Sequence, residues 1–186
     1  MNIYDNNDAL TVSIDESIIF IICNIVCGNE PGVTDRFASH NTVYLGFLES
    51  TCFVDGLPLK RNQNYISKYL FSYSQRLMSM FQSEEEKSMR EELLAGSSGG
   101  EPPAEICFHI SMLKLLHTLC LDENQNSISK FRKVLSCKIL ASDASNSKLP
   151  FLMRKRSLQL YTAIFCYVGF ETTAEFEESI SSLLVC

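Results

Sequence analysis

LKRNQNYISKYLFSYSQRLMSMFQSEEEKSMREELLA, residues 59–95, contains neither glycine nor proline. Its apolar residues Tyr65, Ile66, Tyr69, Leu70, Tyr73, Leu77, Met80 and Phe81 recur at threes and fours, the spacing of one helix face. The run is longer than an ordinary globular helix, and Ser83 ahead of three glutamates offers a second N-cap. The expectation is therefore one long helix, or two with a bend near Gln82 and Ser83.

The same pattern extends in both directions. Upstream, SIDESIIFIICNIVCGNE reads as a buried helix, with Ser13 and Glu16 at capping-box spacing and Gly28 as a stop; the continuous β-branched run Ile18 to Ile22 leaves a strand open. Next, Thr34 or Asp35 is a cap for a helix through Phe37, Val43, Tyr44, Phe47, Leu48 and Cys52, ended by DGLP. Downstream, Pro102 and Pro103 precede the strong helix AEICFHISMLKLLHTLCL. Ser127 or Ser129 then begins ISKFRKVLSCKILA, and FLMRKRSLQLYTAIFCYVGF follows, with Phe151, Leu152, Leu158, Leu160 and Tyr161 as its buried side. Thr172 and Glu175 repeat the capping-box spacing before a short last helix. The sum is an all-α chain of about seven helices in a globular bundle, with no expected strand. The alternative is a short helical solenoid fragment of the HEAT or armadillo kind, although no repeat near 40 residues is visible.

Residues 96–100, GSSGG, divide the chain. Residues 1–95 are acidic, with 7 Lys and Arg against 13 Asp and Glu, whereas residues 101–186 are balanced at 9 against 9. The glycines do not form a phosphate-binding loop, which needs a preceding strand and a following Gly-Lys-Ser/Thr. The run is a flexible connector, either native or engineered as a tether or loop replacement. The two helical halves are expected to pack as one unit, and if they were once separate, their contact is itself a binding function.

The net charge of −6 argues against wholesale wrapping of nucleic acid. Eight cysteines lie scattered, mostly within apolar runs, which suits free buried thiols in a reducing compartment better than a disulfide framework. The polar, acidic start does not resemble a secretory signal, and Ser17–Cys27 is about half a membrane span. An intracellular location, cytoplasmic or nuclear, with no membrane insertion, is the expectation.

Candidate chemistry is sparse. Cys23 and Cys27 share a helix face and with His40 or Cys52 suggest zinc, but mid-helix thiols lack the usual CxxC knuckle, so core packing and no metal are expected. His109 and His117 lie near Cys107 and Cys120 without a nucleophile turn, and adjacent Glu177 and Glu178 cannot share one substrate. Neither an enzyme nor a cofactor is expected. The Glu84–Glu86 run reads as a solvated face. What remains is surface: the Tyr65, Tyr69, Tyr73 and Leu77 stripe, and the basic patch Arg154, Lys155 and Arg156. These point to a protein-interaction module or scaffold subunit that binds a partner helix, peptide or subunit. The alternative is a nucleic-acid-associated domain contacting phosphate through Arg154, Lys155, Arg156, Lys130, Arg132 and Lys133.

Overall fold

A computed structural model describes residues 14–28, 40–73, 78, 80–97, 101–166 and 174–184. Among these residues the chain is all-α, with nine helices and one two-stranded hairpin.

Helix α1 spans Glu16–Cys27. Buried Ile19, Cys23, Val26 and Cys27 recur at helical spacing, so the β-branched run does not become a strand. Its N-cap is Asp15, whose carboxylate accepts from the Ser17 N–H at 2.7 Å, rather than Ser13, which lies outside the described residues. Gly28, at φ 67, closes the helix in the left-handed conformation that glycine adopts without a Cβ clash. Helix α2, His40–Ser50, has its proposed caps Thr34 and Asp35 outside the described residues.

DGLP does more than terminate α2. Strands β1, Phe53–Val54, and β2, Leu57–Pro58, pair antiparallel around Asp55 and Gly56, both at positive φ. This is the Asp-Gly hairpin chemistry, in which two left-handed residues match the twist of the flanking strands. The expectation of no strand is corrected by this one short hairpin.

Helices α3, Lys60–Tyr73, and α4, Glu84–Gly96, are the two pieces expected from residues 59–95. Ser83 starts α4 with a full capping box: its hydroxyl accepts from the Glu86 N–H, and the Glu86 carboxylate accepts from the Ser83 N–H. Helix α5, Ala104–Cys120, begins after Pro103. The stretch expected as one helix from Ser127 or Ser129 is instead α6, Gln125–Phe131, and α7, Cys137–Ser145. A turn intervenes, and the Ser136 hydroxyl accepts from the Ile139 N–H to begin α7 afresh. Helices α8, Phe151–Phe165, and α9, Ala174–Leu184, complete the described chain; Thr172, and the side chain of Glu175, lie outside it.

Helix α5 is the centre, packed against α2, α3, α6 and α8. Helix α1 covers α2 and α3, and α7 joins α8 to α9. One apolar core runs through both halves, from Ile19 and Leu48 to Leu116 and Ile164. Buried polar bonds also cross the connector. The Gln63 amide donates to the Thr118 carbonyl at 2.9 Å and accepts from the Asn124 amide at 3.2 Å, and Arg90 pairs with Asp143 at 2.9 Å. Thr118 lies in the last turn of α5, where its carbonyl accepts from the Leu121 N–H at 3.3 Å, and Gln63 adds a second donor from α3.

Candidate partner-binding surface

The tyrosine stripe serves the packing of α1 on α3. Tyr65 and Tyr69 are half-buried. The Tyr69 hydroxyl donates to Glu16 at 2.8 Å, and its ring lies 5.1 Å from that of Phe20. The Arg61 guanidinium stands 5.4 Å over the Tyr65 ring and donates to the Ile14 carbonyl. Leu77 and the side chain of Tyr73 lie outside the described residues.

The basic patch lies on α8 and is organised differently from a solvated cationic face. The Arg154 guanidinium donates to the Ala144 carbonyl at 3.3 Å, satisfying the end of α7. Arg156 donates to the Gln159 side chain at 2.8 Å. Elsewhere, Arg132 donates twice to the Ile164 carbonyl at the end of α8, at 3.0 and 2.7 Å, and Lys130 is bonded to Asn126. Arg154 and Arg132 thus neutralise the negative ends of helix dipoles and fill orphan carbonyls, while Arg156 and Lys130 bond side-chain and backbone groups of their own helices. Lys155 is exposed.

The buried side of α8 is Met153, Ser157, Leu160, Tyr161, Ile164 and Phe165. Phe151, Leu152 and Leu158, expected in the core, instead face solvent at 75%, 46% and 45% exposure, which corrects that assignment. The reason is geometric: α8 carries apolar residues around most of its circumference, and α5 and α7 cover only the Leu160 and Ile164 side. On a 3.6-residue period, Phe151, Lys155, Leu158 and Thr162 fall into one outward stripe. Isolated exposed apolar residues are ordinary, but three on one helix form a patch.

Beside this stripe a depression of ≈ 350 Å³ opens between α8 and α5, lined by His117, Leu158, Gln159, Thr162 and Ala163. Burial, and then the nearby Arg156 charge, hold the His117 imidazole below its ordinary pKa. His117 is thus a largely neutral, half-buried wall of an apolar hollow with a positive charge beside it.

The remaining candidates lie inside the protein. Cys23, Cys27 and Cys52 are buried, and burial pushes the Cys23 and Cys52 thiols well above the usual thiol range. No described cysteine forms a disulfide, and no group of three His, Cys, Asp or Glu among the described residues is placed to hold a metal; the His40 side chain lies outside them. His109 is buried edge-on against Phe81, with ring centroids 5.0 Å apart, and its Nδ1 has no hydrogen-bond partner among the described residues. Burial and the Arg90 charge push its pKa down to about 3. Phe81, at φ 63, is wedged between His109 and the Arg90 guanidinium 5.8 Å from its ring. Sequence reading missed Arg90 and Asp143, since nothing local signals that residues 53 apart will meet. The acidic run is engaged locally, Glu86 in the cap and Glu84 with Lys87 at 2.6 Å, while Glu178 pairs with Lys138 at 2.9 Å.

No helix among the described residues is long and apolar enough to cross a membrane. No family model matches the chain, and no curated protein is found to be related to it by sequence.

Proposed function

We propose that this chain is an intracellular protein-interaction module, a scaffold or complex subunit that binds a helix, peptide or subunit of another protein without catalysing a reaction. The observation that carries this reading is the α8 face, where Phe151, Leu152 and Leu158 stand exposed beside the His117 depression. Full burial of such a side chain is worth about 1.5–3 kcal/mol; Phe151, at 75% exposure, forgoes most of that and Leu152 and Leu158, at 46% and 45%, forgo part, a cost that a docked partner recovers. The tyrosine stripe is the weaker candidate, because α1 already occupies the face that Tyr65 and Tyr69 present.

The nucleic-acid alternative draws less support. Of its six cations, Arg154, Arg156, Arg132 and Lys130 already donate to groups within the chain, leaving Lys133 and Lys155. Binding to DNA or RNA at low salt that falls steeply as salt rises would favour that alternative.

The direct test places a photo-crosslinking benzoylphenylalanine at position 151 in living cells. The expected result is a covalent adduct with a second polypeptide that disappears when Leu158→Asp is added, while the thermal melt of the purified double variant is unchanged. Absence of any protein adduct would sink the reading.

A further inference from the structure

We infer that the groove between α8 and α5 receives an acidic amphipathic helix of another protein, its apolar side chains laid on Phe151, Leu152 and Leu158 and a carboxylate over Lys155. This inference rests on the interaction reading above and specifies the partner's chemistry.

Shape is the first argument. Phe151, Lys155, Leu158 and Thr162 stand at i, i+4, i+7 and i+11, so the stripe runs for three turns, about 16 Å along α8. Partner helices that lie in a groove present apolar anchors at this same spacing. The ≈ 350 Å³ depression beside Leu158 gives one anchor a place to sink between two helices.

Charge is the second, and it selects the sign of the partner. The whole chain carries net −6, yet α8 holds Arg154, Lys155 and Arg156 and no carboxylate. Binding to Ala144 and Gln159 orients the two guanidiniums but leaves their charge in place. Arg156 makes itself felt at the groove wall, where it opposes protonation of His117. An exposed Lys155 between exposed Phe151 and Leu158 is therefore an apolar ridge with a cation in its middle. A polyanionic nucleic acid would satisfy the lysine and leave the phenylalanine wet. A second copy docked two-fold on the same face would bring Lys155 and both arginines toward their own images, a like-charge contact that specific interfaces avoid.

The test uses two fluorescein-labelled 18-residue helical peptides with leucines at i, i+4, i+7 and i+11. One has glutamates flanking the leucines, and its twin has lysines. Anisotropy titration against the full chain at about 0.15 M salt is expected to show the acidic peptide bound about ten-fold or more tightly than its twin. Lys155→Glu should remove or reverse that preference, and Leu158→Ser should weaken both peptides. Equal binding of the two, or a preference that survives Lys155→Glu, would overturn the inference. So would saturable binding of labelled single-stranded RNA that Lys155→Glu abolishes. The position-151 crosslink separates the partner assignment from the interaction reading. A protein adduct mapping to a segment that is not an acidic helix, or to the chain itself, overturns the partner assignment while leaving the interaction reading standing, whereas no adduct removes both.

Discussion

His109 is the residue whose environment makes the most quantitative demand on solution behaviour. It lies buried edge-on against Phe81, whose ring stands under the Arg90 guanidinium, and its imidazole is pushed down to about 3 from an ordinary 6.5 by burial and then by the Arg90 charge. In the unfolded chain it regains water and titrates normally. Between pH 6.5 and 3 the unfolded state therefore binds a proton that the folded state refuses, and stability rises with pH across that window. Its contribution is complete above pH 6.5 and shrinks by about 1.4 kcal/mol for each unit below. Going from pH 7 to pH 5 should cost the native protein about 2 kcal/mol through this residue alone.

Other groups titrate in the same range, among them half-buried His117, whose depressed pKa acts with the same sign. A comparison with His109→Leu cancels these shared effects. Urea unfolding of both proteins at the two pH values gives four free energies. The variant's stability relative to native should improve by about 2 kcal/mol on going from pH 7 to pH 5. If the difference between the two proteins is the same at both pH values, within about 0.5 kcal/mol, the histidine titrates in the folded state and the cluster is open to water. That result would also make His109 a residue able to meet a substrate.

Three further outcomes follow from the same packing. Asp143→Ala strands the buried Arg90 cation and should cost about 3–5 kcal/mol, whereas Arg90→Met with Asp143→Leu should recover most of it; urea midpoints of the three variants decide, and an equally damaged double variant would refute the ion-pair account. Gln63→Ala leaves the Asn124 amide without its buried acceptor and takes one of two donors from the Thr118 carbonyl, and should cost about 1–3 kcal/mol, read as a fall of about 2–4 °C in Tm per kcal/mol. Replacing residues 98–100 by a protease site and cutting there should leave 1–97 and 101–186 eluting together on size exclusion, since α2 and α3 pack on α5 and α6 across the connector. Separation into two species would show that the cross-connector contacts do not suffice.

Legibility in the sequence followed the range of the interaction involved. The division of residues 59–95 was visible because the Ser83 and Glu86 cap is contained within four residues. Asp55-Gly56 was equally local, but with two residues on each strand there was no alternation to announce a hairpin. The split between α6 and α7 was hidden because Ile128, Phe131, Leu135 and Ile139 stand at helical spacing across the break, so periodicity alone argues for one helix. Only the Ser136 cap marks the restart, and serine is too common to read as a cap without the turn before it. Arg90, Asp143, Gln63 and Asn124 were beyond reach in sequence, because each is explained only by a partner 53 to 61 residues away.

Helix α8 shows why counting residue types misjudges a surface. FLMRKRSLQLYTAIF has apolar side chains facing in nearly every direction, so its hydrophobic pattern does not determine which side is buried. That choice belongs to α5 and α7, which cover Leu160, Ile164 and Met153 and leave Phe151 and Leu158 outside. The cations invert in the opposite sense. A guanidinium is planar and has five donors, which suits it to carbonyls at helix ends, and Arg154 takes up that task for α7 as Arg132 does for α8. Lysine lacks that fork, and on α8 Lys155 is the basic residue left to solvent. The residues that looked like a charged outer face thus include two tied arginines, and residues that looked like core form the outer ridge. On the interaction reading proposed above, that ridge is the surface offered to a partner that brings apolar side chains and a carboxylate together.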